Sequence, residues 1–172
     1  MIELERTYLA KKIPEGLQAC PFKEILDVYF PKLSDHPKLR LRKQGTKFEI
    51  TKKQPVHQGD ASQQEEQTIV LNHEEFDTLC SLEGKRVRKI RYYYPYKGRT
   101  AEVDVFSDLL LGLVLVDFEF ETLEEKNAFE MPDFCLAEVT QETFFAGGIV
   151  CGKKYDDLEA DLKRFHYQKL FL

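Results

Sequence analysis

The sequence predicts a mainly β protein of the α+β class: a closed or nearly closed antiparallel barrel with a charged lumen and helices packed outside. Most of the 172 residues fall into short segments in which charged and apolar side chains alternate, as in strands whose two faces meet different surroundings. The charged positions recur as pairs two residues apart, and the positions between them are almost wholly apolar. Few segments show helical spacing.

Composition and charge limit the classes of protein to consider. A hydrophobic fraction of 42% is typical of a packed chain, and 172 residues fit one domain, 1–172. The net charge of −5 argues against nucleic acid or an acidic membrane as a partner. The four cysteines lack CxxC spacing, and no apolar stretch approaches the roughly 20 residues that span a bilayer. We expect a cytoplasmic protein with reduced cysteines. Its oligomeric state stays open, with a homodimer as one option.

Five strands are predicted in the first part of the chain. They span 1–9, 24–30, 38–44, 47–53 and 65–71. The first, MIELERTYL, places Glu3 and Glu5 on one side and apolar residues on the other. Gly45 marks the turn of a hairpin between the third and fourth strands. Residues 54–67 have no apolar period, which predicts a mobile surface loop and a candidate lid.

The rest of the chain predicts three helices and four strands. The first helix, 72–82, starts at Asn72, which forms a capping box with Glu75. Thr122 and Glu125 give the second helix the same start. The remaining elements are a hairpin over 85–106 that turns near 95–98, strands at 111–122 and 135–140, and an amphipathic helix over 156–172.

One face of each predicted strand collects the ionic residues. They are Glu3, Glu5, Arg40, Arg42, Thr51, Lys53, Lys89, Arg91, Glu102, Asp104, Asp117, Glu119 and Glu138. A closed barrel turned inside out explains the pattern, because its charged face lines a channel while its apolar face meets helices. Charges removed from water need partners or a charged ligand. Lys and Arg suit a polyanion, and carboxylates suit Mg²⁺ or Mn²⁺, so the lumen predicts a metal-bound polyphosphate.

Seven motifs also resemble, in order, those of the CYTH superfamily, the triphosphate tunnel metalloenzymes. They are the opening Glu-x-Glu, RLR, T-x-K, KIRY, EVDVF, the acidic pair of DFEFE, and EVT. The resemblance spans nearly the whole chain. It implies an eight-stranded tunnel and one of the family's activities: inorganic triphosphatase, thiamine triphosphatase or class IV adenylate cyclase.

The resemblance assigns a role to each matching position. It implies phosphate binding by Arg40, Arg42, Lys53, Lys89 and Arg91. It implies metal ligation by Glu3, Glu5, Asp117, Glu119 and Glu138, with Glu5, Lys89 and Glu119 as the catalytic set. Glu66, Glu102 and Asp104 are implied as supporting groups in the lumen. For each residue taken singly, an ion pair of purely structural role is the alternative.

The chain departs from the family pattern at its start, where Thr7 stands in place of a lysine and Arg6 has the wrong parity to replace it. Asp117 and Thr68 also stand where the family usually has glutamate and an acidic residue, respectively. The leading hypothesis is metal-dependent hydrolysis of tripolyphosphate, thiamine triphosphate or a nucleoside triphosphate, which needs positioning and charge neutralisation rather than a Ser/His/Asp triad. A noncatalytic protein that binds a phosphorylated metabolite is the alternative, and an adenylate cyclase is less favoured because no adenine pocket is readable.

Overall fold

Nine strands and four helices form the fold in the computed structural model, which describes residues 2–57 and 59–172. The strands are β1 Ile2–Ala10, β2 Phe22–Phe30, β3 Leu39–Gln44, β4 Lys47–Pro55, β5 Gln63–Leu71, β6 Lys85–Tyr96, β7 Arg99–Phe106, β8 Val114–Phe120 and β9 Cys135–Glu138. The helices are α1 His73–Cys80, α2 Leu123–Ala128, α3 Gly147–Val150 and α4 Tyr155–Arg164. None of the helices in the described residues is long and apolar enough to cross a membrane.

Eight of the strands close into an antiparallel barrel. Their order is β5-β4-β3-β2-β6-β7-β8-β1, and β5 pairs back onto β1. One edge of β1 pairs with β8, while its other edge is divided between two strands. Ile2–Leu4 pair with β5, and Tyr8–Ala10 pair with β9. The predicted closed barrel with helices outside is confirmed, and β9 is a short addition to it.

The hairpin turns follow from local sequence. Lys97 and Gly98 have φ values of 46° and 78° between β6 and β7, and two residues of positive φ give the turn whose twist matches paired strands. Gly45 also has a positive φ, of 58°, between β3 and β4. The register then pairs Arg91 with Asp104 and Arg42 with Glu49 across these hairpins.

The helices pack on the apolar outer face or across one end of the barrel. Helix α1 starts with the predicted Asn72–Glu75 capping box, and its Phe76 stacks on Phe48 with ring centroids 4.9 Å apart. Helix α4 buries Leu158 and Leu162. Helix α2 starts at Thr122, whose hydroxyl accepts from the Glu125 backbone.

The inward face is charged along only part of the barrel. The inward row of β1 runs Glu3, Glu5, Thr7 and then Leu9, which is fully buried. The inward rows of other strands also change from charged to apolar residues toward this end of the barrel. The apolar inward positions are Leu9, Val87, Phe106, Leu113 and Leu115. They pack with Phe145 and Val150 of the segment 139–150. We call this the covered end of the barrel, since that segment lies across it.

Two predicted elements differ most from the structure in their bounds. The loop predicted over 54–67 is shorter, because β4 extends to Pro55 and β5 already begins at Gln63. Polar residues form the start of β5 because one face of the strand meets water and the other meets the charged lumen. An alternation of apolar and polar residues was therefore not needed. The helix predicted over 156–172 ends at Arg164. Met1 of the first predicted strand and Gln58 of the predicted loop lie outside the described residues.

Candidate functional site

The barrel encloses a cavity of about 560 Å³ that brings the predicted site residues together. Those that line it are Glu3, Glu5, Arg40, Arg42, Thr51, Lys53, Glu66, Lys89, Arg91, Glu102, Asp104, Asp117 and Glu119. They come from seven strands, and β2 adds Asp27 and Tyr29. The strand period of two places these residues inward, because the two members of each pair are separated by one residue that points outward.

Arg42 is held by a buried ion pair that sequence reasoning missed. Its Nε and Nη2 each donate to a carboxylate oxygen of Asp27 at 2.7 Å. Asp27 and Arg42 are only 2% and 7% exposed. Burial alone would raise the pKa of Asp27, but the Arg42 guanidinium outweighs it and holds that pKa well below its usual range. The charge of Arg42 is therefore largely compensated before any ligand arrives.

Arg91 stands at the centre of a second network. Its Nε and Nη2 donate to Asp104 at 2.7 Å each, its Nη1 pairs with Glu102, and its Nη2 lies 3.4 Å from Oδ2 of Asp117. Lys89 pairs with the same Asp104 carboxylate. Burial opposes ionisation of Asp104, yet Arg91 and Lys89 prevail and lower its pKa to about 2.

Lys89 and Lys53 differ in how their charge is supported. Burial lowers the pKa of Lys89, and the carboxylate of Asp104 offsets only part of that effect. Lys53 pairs with Glu3 and lies 3.2 Å from Oε2 of Glu66 and 3.9 Å from Oε2 of Glu5. Although burial acts against it, these carboxylates raise the pKa of Lys53. Of these two lysines, Lys89 therefore gives up its proton more readily than Lys53 does.

Four carboxylates at the β1–β8 wall make an excess of negative charge. They are Glu3, Glu5, Asp117 and Glu119. Burial raises the pKa of Glu5 to about 7, although the charge of Lys53 lowers it. The negative charges of Asp117, Glu3 and Glu119 add to the rise. Burial and nearby carboxylates also raise the pKa of Asp117 and of Glu119. The excess charge marks this wall as the place where a cation would be stabilised.

The oxygen donors of this wall fit a hard divalent cation. Within residues 2–57 and 59–172, no three acidic, histidine or cysteine side chains are close enough to form a complete metal site. Mg²⁺ is commonly held by one or two carboxylates, with substrate phosphates and water as its other ligands. A shared site of that kind needs no cluster of three protein ligands.

Thr7 and Arg6 occupy opposite faces of β1. The Thr7 hydroxyl donates to Oδ1 of Asp117 at 2.7 Å inside the barrel, at the position where the family has lysine. Arg6 faces outward and its Nη1 lies 3.2 Å from Oε2 of Glu138. The prediction that Glu138 faces the lumen was wrong, because β9 pairs with β1 in a register that places Val139 inward instead.

Arg40 is the arginine of this cavity that lacks a carboxylate partner among the described residues. Its Nε is buried and has no hydrogen-bond partner there. Its neighbours in register are Tyr29 on β2 and Thr51 on β4, and neither supplies a negative charge. Buried donors are almost always satisfied, so Arg40 is suited to an anionic ligand.

Sequence reasoning missed Asp27, Lys38 and His36, which also line the cavity. Asp27 had a readable signal: a lone carboxylate in the apolar strand EILDVYF must be buried with a partner. Lys38 directly precedes β3 but stands in the predicted strand 38–44 on the parity of Arg40 and Arg42, so alternation could have placed it in the lumen. His36 lies in a turn-rich loop without periodicity, so no pattern could assign it there.

The fold and cavity define a class of protein, a closed antiparallel tunnel whose lumen combines basic side chains with an acidic wall. No protein-family model matches the sequence. The chain is 36% identical over 145 residues to an inorganic triphosphatase of Nitrosomonas europaea, a match that covers 83% of this chain and 91% of that protein. The chain therefore belongs to the CYTH superfamily, the triphosphate tunnel metalloenzymes.

Solved structures show the same fold. The crystal structure of the inorganic triphosphatase NE1496 matches with a TM-score of 0.63 and 27% identity, covering 88% of this chain and 95% of that one. A putative adenylate cyclase from Bacillus halodurans matches with a TM-score of 0.53 and 19% identity, covering 99% of this chain and 92% of that one. At that identity the second likeness concerns the fold alone.

Proposed function

We propose that this chain is a triphosphatase that hydrolyses inorganic tripolyphosphate with the help of Mg²⁺ or Mn²⁺. The observation that carries the proposal is the cavity of about 560 Å³ in which basic side chains face an acidic wall. A linear polyphosphate needs both features, since its oxygens are held by cations and its bound metal is held by carboxylates. The 36% identity to an inorganic triphosphatase supports the choice of substrate.

The basic residues bind and orient the polyphosphate chain. Arg40 supplies a guanidinium that has no carboxylate partner in the described part of the chain, while Arg91 and Lys89 present donors already fixed by Asp104. Donors held in place before the substrate arrives need little reorganisation as charge develops on the transferring phosphoryl group. Arg42, whose charge Asp27 largely compensates, holds its guanidinium at a fixed position in the cavity wall.

The acidic wall prepares the nucleophile. Glu5, whose pKa burial raises to about 7, can accept a proton from water near neutral pH. Glu3, Asp117 and Glu119 are the further carboxylates that would hold the cation, which neutralises phosphate charge and polarises the scissile bond when bound. Lys89, whose pKa burial lowers, can donate a proton to the departing phosphate oxygen.

Phosphate release tests the proposal. The wild type is incubated with tripolyphosphate, thiamine triphosphate and ATP, with and without Mg²⁺ or Mn²⁺. We expect release from tripolyphosphate that requires the cation, and a loss of about a hundredfold or more for Glu5→Gln. The matched control is Glu65→Gln, which removes an exposed carboxylate of β5 and should change nothing.

Two outcomes would contradict the proposal. The absence of release from any of the three compounds would remove the enzymatic activity, and tight tripolyphosphate binding in calorimetry would then favour the noncatalytic alternative. Formation of cyclic AMP from ATP would point to a cyclase.

The proposal includes a cytoplasmic location, in keeping with four cysteines whose thiols are free.

A further inference from the structure

Two cations near the covered end of the barrel have no carboxylate partner among the described residues. They are Arg40 and Lys38, and both line the cavity. The other basic residues of the lumen are engaged: Arg42 by Asp27, Arg91 and Lys89 by Asp104, and Lys53 by Glu3. The unpaired positive charge of the cavity is therefore concentrated near one end rather than spread along it.

Lys38 is held toward the cavity by a neutral neighbour. Its Nζ lies 3.3 Å from the ring nitrogens of His36. Burial, followed by the charges of Lys38 and Lys85, lowers the pKa of His36, so that the ring is uncharged at neutral pH and accepts from the ammonium. Burial also lowers the pKa of Lys38 itself, and the contact with the neutral ring leaves two N–H donors of its ammonium for a ligand.

The segment 139–150 forms the wall behind these two cations. Phe145 and Val150 are buried there. Gly147 lies so close to the Tyr29 hydroxyl, and Gly148 so close to the Pro37 carbonyl, that a Cβ at either position would collide. The segment is thus seated directly against β2 and the loop before β3, and it lines the cavity at this end.

The carboxylates near this end are already in use. Asp60 accepts from the Ser62 backbone at 2.9 Å and from Nε2 of Gln141 at 3.0 Å. Glu142 pairs with Arg164 at 3.4 Å. Neither is paired with Arg40 or Lys38, so the two cations remain available for an anion.

From this geometry we propose that Lys38 and Arg40 form a subsite for the terminal phosphoryl group of a linear polyphosphate, seated against the segment 139–150. A terminal group carries more negative charge than an internal one and ends the chain, which matches two free cations in front of a wall. The inference rests on the proposed function and adds the direction in which the substrate lies. It also adds Lys38 as a binding residue outside the strands.

Calorimetry of tripolyphosphate binding without divalent cations tests the subsite. Lys38→Gln should weaken binding by about tenfold or more, since a charge-assisted hydrogen bond is lost. Lys38→Arg keeps the charge and should restore most of the affinity, which also shows that the position tolerates substitution. Lys52→Gln is the matched control, because Lys52 is exposed on the outer side of β4.

Phosphorus NMR adds a readout that a merely structural role would not move. Bound in one direction, tripolyphosphate gives two distinct terminal resonances, and Lys38→Gln should shift one of them while leaving the internal resonance in place. Equal affinity of the wild type and Lys38→Gln, or an equal shift of all three resonances, would overturn the subsite and leave the proposed function standing. No binding of tripolyphosphate by the wild type would instead overturn the proposed function itself.

Discussion

Replacing Asp27 by asparagine tests whether the lumen of the barrel depends on internal charge pairing. The side chain keeps its shape, but the guanidinium of Arg42, which is 7% exposed, loses its buried counter-charge. Removing one partner of a buried ion pair costs about 3–5 kcal/mol. Because asparagine can still accept one hydrogen bond from Arg42, we expect the lower value, about 3 kcal/mol.

Urea denaturation followed by circular dichroism measures this change. With a denaturant slope of about 2 kcal/mol per molar, a loss of about 3 kcal/mol lowers the midpoint by about 1.5 M. Asp133→Asn is the control, because it breaks an exposed pair in which Lys12 and Asp133 are 58% and 78% exposed, and its midpoint should stay where it is. A second variant, Asp27→Asn with Arg42→Met, removes both charges and should recover much of the loss.

A midpoint for Asp27→Asn within about 0.3 M of the wild type would refute the reasoning. It would mean that water or another carboxylate compensates Arg42, and that the Asp27–Arg42 pair is not a fixed part of the lumen.

The fold should also weaken in acid and when the covered end loses its packing. Asp27 and Asp104 have pKa values lowered in the fold, to about 2 for Asp104. The stability that their carboxylates contribute is therefore complete above the unfolded pKa of about 4 and is lost as the pH falls from about 4 to about 2. Urea midpoints at pH 6, 4 and 2.5 check this, and a constant midpoint would contradict it. Phe145→Ala should lower the unfolding free energy by about 3–4 kcal/mol, because the ring is buried at the covered end. Phe144→Ala, in the same turn, should cost clearly less, because that ring is only partly buried. Equal costs would count against the covered end as a packed unit.

Alternation of charge explains why the barrel was predictable from sequence. A strand shows its side chains to two faces, so pairs such as Glu3 with Glu5 and Lys89 with Arg91 report the inward face without any knowledge of pairing. Turn chemistry at Gly45 and Gly98 then fixed two hairpins. These signals are local, so they can be read from a single sequence without knowing which strands pair.

The parts that were not predictable depend on long-range register. Glu138 and Val139 differ by one position, and only the pairing of β9 with β1 decides which of them faces the lumen. The partnership of Asp27 with Arg42 likewise needs the β2–β3 register. His36 enters the cavity from a loop, where side-chain direction has no period to read.

The pairing of cations with carboxylates inside the barrel has a consequence for how the proposed metal ion and polyphosphate would influence each other. A divalent ion bound by Glu3 or Glu5 would withdraw counter-charge from Lys53, which pairs with Glu3 in the structure. The released ammonium is then available to phosphate oxygens. Metal and anion should consequently strengthen each other's binding, and by reciprocity the gain in affinity must be equal in both directions.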